Sequence, residues 1–144
     1  MVALHPKRVL VPVDFSDEAT KAVENGLSLV ESAEQLTVLH VAPSAIPAEG
    51  DLLIGWSPTS DESRVERLLD MLRHKFSDRK YENVHFEVLF GTPATEIAKF
   101  AEKEQVDMIV LPSHGRTGLA HMMLGSVAER VVRLAHCPVL VLRD

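Results

Sequence analysis

From Val106 to Ser126 the chain reads VDMIVLPSHGRTGLAHMMLGS: a short apolar strand, a loop with three glycines, then a serine able to open a helix. Glycines beside a helix start leave backbone N–H groups open to a ligand, and a helix N-terminus carries partial positive charge, so this segment is suited to an anion such as phosphate. Gly115 and Gly118 can supply positive φ and close approach to phosphate, or simply make a turn. Ser126, after Gly125, can accept from a helix N–H while donating to a phosphate oxygen. His114, Arg116 and Thr117 lie inside the loop, where they can flank a ligand or be a packed histidine and solvated polar groups. Near the other end of the chain Asp14 closes the apolar run VLVPV, as a ligand carboxylate or as an acceptor for helix N–H groups.

Several chemistries are not supported. Neither G-x-G-x-x-G nor G-x-x-x-x-G-K-[ST] occurs, which speaks against dinucleotide oxidoreductases and P-loop NTPases. No nucleophile–base pair or carboxylate dyad stands out. His40, His85, His114 and His121 lack the spacing or cysteine partners of a metal site. A net charge of −6 without a long basic run speaks against binding to nucleic acid. No apolar run reaches the roughly 20 residues of a membrane span, and the N-terminus leads quickly into a strand, leaving no room for a signal peptide. The lone Cys137 excludes an internal disulfide and reads as inert core. Together these features predict a cytoplasmic protein of one domain, residues 1–144.

The elements that must position these residues follow from periodicity. Val9–Val13, Leu36–Val41, Met108–Leu111 and Val139–Leu142 are continuous apolar runs, suited to parallel strands buried on both faces. Val84–Phe90 alternates, with Val84, Phe86, Val88 and Phe90 on one face. Stripes of helical spacing lie between them: Ala19 to Ala33, Val65 to Phe76, Ala94 to Ala101 and Ala128 to Ala135. Ser16 and Thr92-Pro93 mark helix starts, and Ser126 with Glu129 reads as a capping box. Alternating strands and helices predict an open, Rossmann-like five-stranded parallel sheet with helices on both faces. Ligands of such sheets bind beyond the strand carboxyl ends where strand order reverses, which would bring Asp14 and the glycine loop to one crevice. The irregular stretch Pro43–Pro58, with the only tryptophan, Trp56, reads as a flap beside it.

The opening VLVPVDFSDEA, the second strand LTVLHV and the ending SHGRTGLAHMMLGSVAERVVRLAHCPVLVL resemble the UspA-type universal stress protein family over essentially the whole chain. The resemblance implies strand order 3-2-1-4-5 and a stress-response or regulatory module that binds ATP or another adenine nucleotide, with Mg2+. It places Pro12, Val13, Asp14, Val41, Pro112, Ser113, His114, Gly115, Arg116, Gly118, Gly125, Ser126 and Val127 at the nucleotide, with Asp14 by the ribose and metal-phosphate region and Val41 against adenine. Nucleotide-binding members carry glycine, two residues, glycine, nine residues, glycine, then serine or threonine. Gly115 and Gly125-Ser126 match, but the first glycine position is Pro112. A proline there removes one N–H, a hydrogen bond worth about 0.5–1.5 kcal/mol. The family also implies a homodimer through Val139–Leu142, an apolar edge strand. Its other members suggest two alternatives, an interaction protein that binds no nucleotide and a slow ATPase.

Overall fold

A computed structural model describes residues 5–44, 61–114 and 124–143. The strands are β1 (Val9–Pro12), β2 (Leu36–Ala42), β3 (His85–Phe90), β4 (Met108–Pro112) and β5 (Val139–Leu142), and the helices are α1 (Asp17–Leu29), α2 (Asp61–Lys75), α3 (Pro93–Lys103) and α4 (Ser126–Leu134). All strands are parallel, in the order β3-β2-β1-β4-β5, as the sequence predicts.

The period-2 alternation of the strands splits the apolar residues into two cores. Val9, Val11, Val38 and Val110 face one way, onto Ala19, Ala22 and Val23 of α1 and Leu72 of α2. Leu10, Leu39, Ile109 and Leu111 face the other way, onto Ala94, Ile97 and Ala101 of α3 and Ala128 and Val131 of α4. Strands buried on both faces must be apolar at every position, hence the continuous runs. The edge strand β3 buries Val88 while His85 and Glu87 stay exposed, the alternation expected of it. On α1, a Cβ at Gly26 would stand 2.8 Å from Val11 Cγ2, so the glycine lets this helix lie close on β1.

The helix starts differ in detail from expectation. Ser16 caps α1 as predicted, accepting from the Ala19 N–H at 3.2 Å. Thr92 occupies the N-cap of α3, with Pro93 behind it, but makes no side-chain cap bond. At α4 the capping box does not form. Gly125 takes the extended N-cap conformation and its carbonyl accepts from the Glu129 N–H, which makes Ser126 the first helical residue. The Glu129 carboxylate is engaged instead by Arg133 at 2.7 Å. Among the described residues, no helix is long and apolar enough to cross a membrane.

Candidate functional site

β1 is paired to β2 over its whole length, Val9↔Leu36 to Pro12↔Leu39, and Val13 extends the contact by donating its N–H to the Leu39 carbonyl. Toward β4 the pairing stops after Val9↔Met108 and Leu10↔Ile109. Alternate residues of a parallel strand face opposite neighbours. Val13 bonds toward β2, so residue 12 faces β4; Ile109 and Ser113 donate to Pro138 and Leu142 on the β5 side, so residue 112 faces β1. The next two rungs between β1 and β4 would need N–H groups from residues 12 and 112. Both are proline, so neither rung can form.

Pairing of these two strands ends there, and a cleft of about 300 Å3 lies at the carboxyl ends of the sheet, large enough for a small ligand. Its floor and one wall are apolar: Leu39 and Val41 from β2, Leu111 from β4, and Pro93 and Ile97 from α3. Pro12, Val13 and Asp14 line the β1 side, and Pro112 and Ser113 the β4 side. Gly125, Ser126, Val127 and Ala128 bring the first turn of α4 into the lining, next to Ser113. Because no side chain among the described residues caps this helix, its opening amides are a natural seat for an anion. The Gly125 N–H donates to the Ser113 carbonyl at 2.6 Å, tying the two ends of the glycine loop together.

Asp14 sits in a tightly held turn. Its carboxylate accepts from the Ser16 N–H at 3.1 Å, so the helix-start role expected of it is realised, and it also lines the cleft. The next residue, Phe15, has φ 66°, a left-handed conformation that costs a side-chain-bearing residue about 1–2 kcal/mol. Two distant groups hold it there. Lys75 Nζ, at the end of α2, donates to the Phe15 carbonyl at 3.0 Å. His40 packs edge-on against the Phe15 ring, centroids 4.7 Å apart, and its Nδ1 lies 2.8 Å from the Val13 carbonyl. A carbonyl only accepts, so this nitrogen carries the proton.

Of the residues expected at a ligand, Pro12, Val13, Asp14, Val41, Pro112, Ser113, Gly125, Ser126 and Val127 line this one cleft. His114 does not line it; its Nδ1 lies 3.1 Å from Ser113 Oγ, and its buried Nε2 has no partner among the described residues. Gly115, Arg116, Thr117 and Gly118 fall outside the described residues, as does the stretch 45–60 with Trp56. Leu39, His40, Pro93, Ile97, Leu111 and Ala128 also line the cleft but carried no site signal, because Pro93 reads as a helix start and the others as strand or helix residues. No group of three His, Cys, Asp or Glu side chains gathers to hold a metal among the described residues. Burial, reinforced by the Asp107 carboxylate, pushes the Cys137 thiol up, keeping it protonated and unreactive.

The model of the universal stress protein family matches residues 5–143. A universal stress protein of Methanocaldococcus jannaschii, MJ0531, is 36% identical over 143 residues, covering 95% of this chain and 82% of its own. The solved structure of protein MJ0577 superposes with a TM-score of 0.71 at 32% identity, covering 99% of this chain and 98% of that one. A family protein from Arabidopsis thaliana, solved with AMP bound, shares the fold at a TM-score of 0.58 and 22% identity over 96% of this chain and 93% of its own.

Proposed function

The chain belongs to the universal stress protein family, and from that premise we propose that it binds an adenine nucleotide, ATP foremost, between Asp14 and the first turn of α4, as a stress-response or regulatory module of the cytoplasm. The observation that carries this reading is the cleft, where an apolar pocket for a base meets an uncapped helix start for phosphate. Val41 and Leu39 give the base a flat apolar surface, and Asp14 stands where a ribose would follow. The family pattern also implies Gly115, Arg116 and Gly118 as nucleotide residues, and these lie outside the described residues. The AMP-bound relative supports the same ligand class.

Asp14 is the one carboxylate among the described cleft-lining residues. It fits a Mg2+ that arrives with the phosphates and takes most of its ligands from them and from water. Slow hydrolysis is the most turnover this reading asks of the site, and nucleotide occupancy is its working signal.

A second copy of the chain is the partner. β5 is a sheet edge whose even-numbered residues face β4, since Pro138 and Leu142 accept from it. Val139 and Val141 therefore turn their N–H groups outward, beside the exposed side chains of Leu140 and of Leu134 on α4. Two such edges can pair about a two-fold axis and close the assembly.

Calorimetry tests the nucleotide site. Wild type should bind ATP and AMP saturably, and Gly125→Arg, which puts a long side chain at the phosphate wall, should abolish binding with far-UV circular dichroism unchanged. Wild-type affinity in that variant overturns the site.

A further inference from the structure

We propose that His40 is a positioning residue for base recognition: it takes the Val13 carbonyl that the Val41 N–H would otherwise claim, and so leaves the peptide edge of Val41 free for a purine. This rests on the adenine-nucleotide reading and adds which side chain readies the base end of the cleft.

Strand parity identifies the bonds that are missing. Val13 donates to the Leu39 carbonyl, so odd-numbered residues of β2 face β1; Gly91 donates to the Ala42 carbonyl, so even-numbered ones face β3. The N–H and C=O of Val41 therefore point to the β1 side, just past the last residue paired there. A regular parallel ladder would continue with the Val41 N–H on the Val13 carbonyl, then the Phe15 N–H on the Val41 carbonyl. Neither bond forms among the described residues. Phe15 is lost to the ladder because the chain turns there, at φ 66°. The Val13 carbonyl is occupied instead by His40 Nδ1, at 2.8 Å.

His40 acts from the far face of the sheet. Alternation puts Leu39 and Val41 on the side of α3 and α4, where the apolar lining of the cleft lies. It puts Val38 and His40 on the side of α1 and α2, where the His40 ring packs against Phe15. The imidazole thus works on a carbonyl and not on the ligand. What it leaves open is a donor and an acceptor side by side, among the apolar side chains of Leu39, Ile97 and Leu111. Such a pair gains most from a partner that brings an acceptor and a donor together. The Watson–Crick edge of adenine does so, with its ring N1 and its 6-amino group. Hypoxanthine offers the reverse there, a ring N–H and a carbonyl.

The test compares AMP with inosine 5′-monophosphate on the full chain, by calorimetry, with competition against AMP where binding is weak. Wild type should prefer AMP by about tenfold or more. His40→Phe keeps a ring against Phe15 but has no donor, so the Val41 N–H can close on the Val13 carbonyl and the preference should shrink several-fold. His40→Asn, whose side-chain amide can donate in place of Nδ1, should restore most of it, which a merely space-filling role of the ring would not allow. Circular dichroism and the Tm check that the variants are folded. Amide hydrogen exchange needs neither ligand nor variant: the Val41 amide of free wild type should exchange at least tenfold faster than the laddered amide of Leu39, and in His40→Phe it should slow toward it. No preference for AMP in wild type, an unchanged preference in folded His40→Phe, or a Val41 amide as protected as that of Leu39 in free wild type overturns the role of His40 and leaves nucleotide binding standing. Failure of both nucleotides to bind wild type overturns the underlying reading and this inference with it.

Discussion

β1 is held in opposite ways on its two sides. Toward β2 it is paired from Val9 to Pro12 and beyond, through the Val13 N–H; toward β4 it is paired only at Val9 and Leu10. The apolar content of the three strands is alike, so hydrophobicity does not set the difference. The position and parity of two prolines account for the two rungs missing toward β4. Pro12 sits at full register with Leu39 and breaks nothing there, because its missing N–H faces the other way. The closed side gives the cleft a rigid wall, and the open side gives it room.

Closing the open side should have the largest effect. In the double variant Pro12→Ala/Pro112→Ala both missing rungs become possible, each worth about 0.5–1.5 kcal/mol. The lost rigidity of two prolines opposes this by about 0.4–1 kcal/mol each, so net stability should change little. Nucleotide affinity should fall at least tenfold, and the new amides at positions 12 and 112 should be protected in hydrogen exchange. Rapidly exchanging amides there would show that something other than the prolines holds the strands apart.

The same rule can be applied at the far edge. Val141 faces outward, so Val141→Pro removes a donor from any ladder between two copies while sparing the β4–β5 ladder. Light scattering should show a dimer in wild type at tens of micromolar and mostly monomer in the variant, with stability lowered by about 1 kcal/mol or less. A stable dimer in the variant places the interface elsewhere.

The smallest effect is expected on the closed side. Lys75→Met keeps the aliphatic stem but loses the bond to the Phe15 carbonyl, a loss of about 0.5–1.5 kcal/mol in chemical denaturation. With Phe15 less firmly held, Asp14 loses its fixed place and nucleotide affinity should drop a few-fold. No change in either quantity would mean that the Ser16 N–H and the His40 contacts suffice to hold the turn.

These residues also mark what could be read without coordinates. The two-sided burial of β1, β2 and β4 and the meeting of Asp14 with Gly125 and Ser126 follow from apolar periodicity and chain order, while the strand order follows from the family resemblance. Those signals are local and summed over many residues. The capping box at Ser126 failed because the decision between Gly125 and Ser126 as N-cap turns on one residue's dihedrals, and glycine takes the extended one without strain. His40 gave no site signal because its function depends on a carbonyl 27 residues away in sequence. Pro112 was visible as a departure from the family pattern. Its meaning was not, since strand parity with β1 and β5 is needed to see which way its missing N–H points.

The contact between Lys75 and Phe15 has one more consequence. α2 begins at Asp61 and ends at Lys75, and its last residue grips the turn that carries Asp14. Thermodynamic linkage makes such a grip reciprocal. A ligand that steadies the turn must also quieten the last turn of α2, and a force or partner that shifts α2 must be felt in ligand affinity. An outer helix that touches no ligand thereby becomes a handle on the cleft, able to report its occupancy at the protein surface.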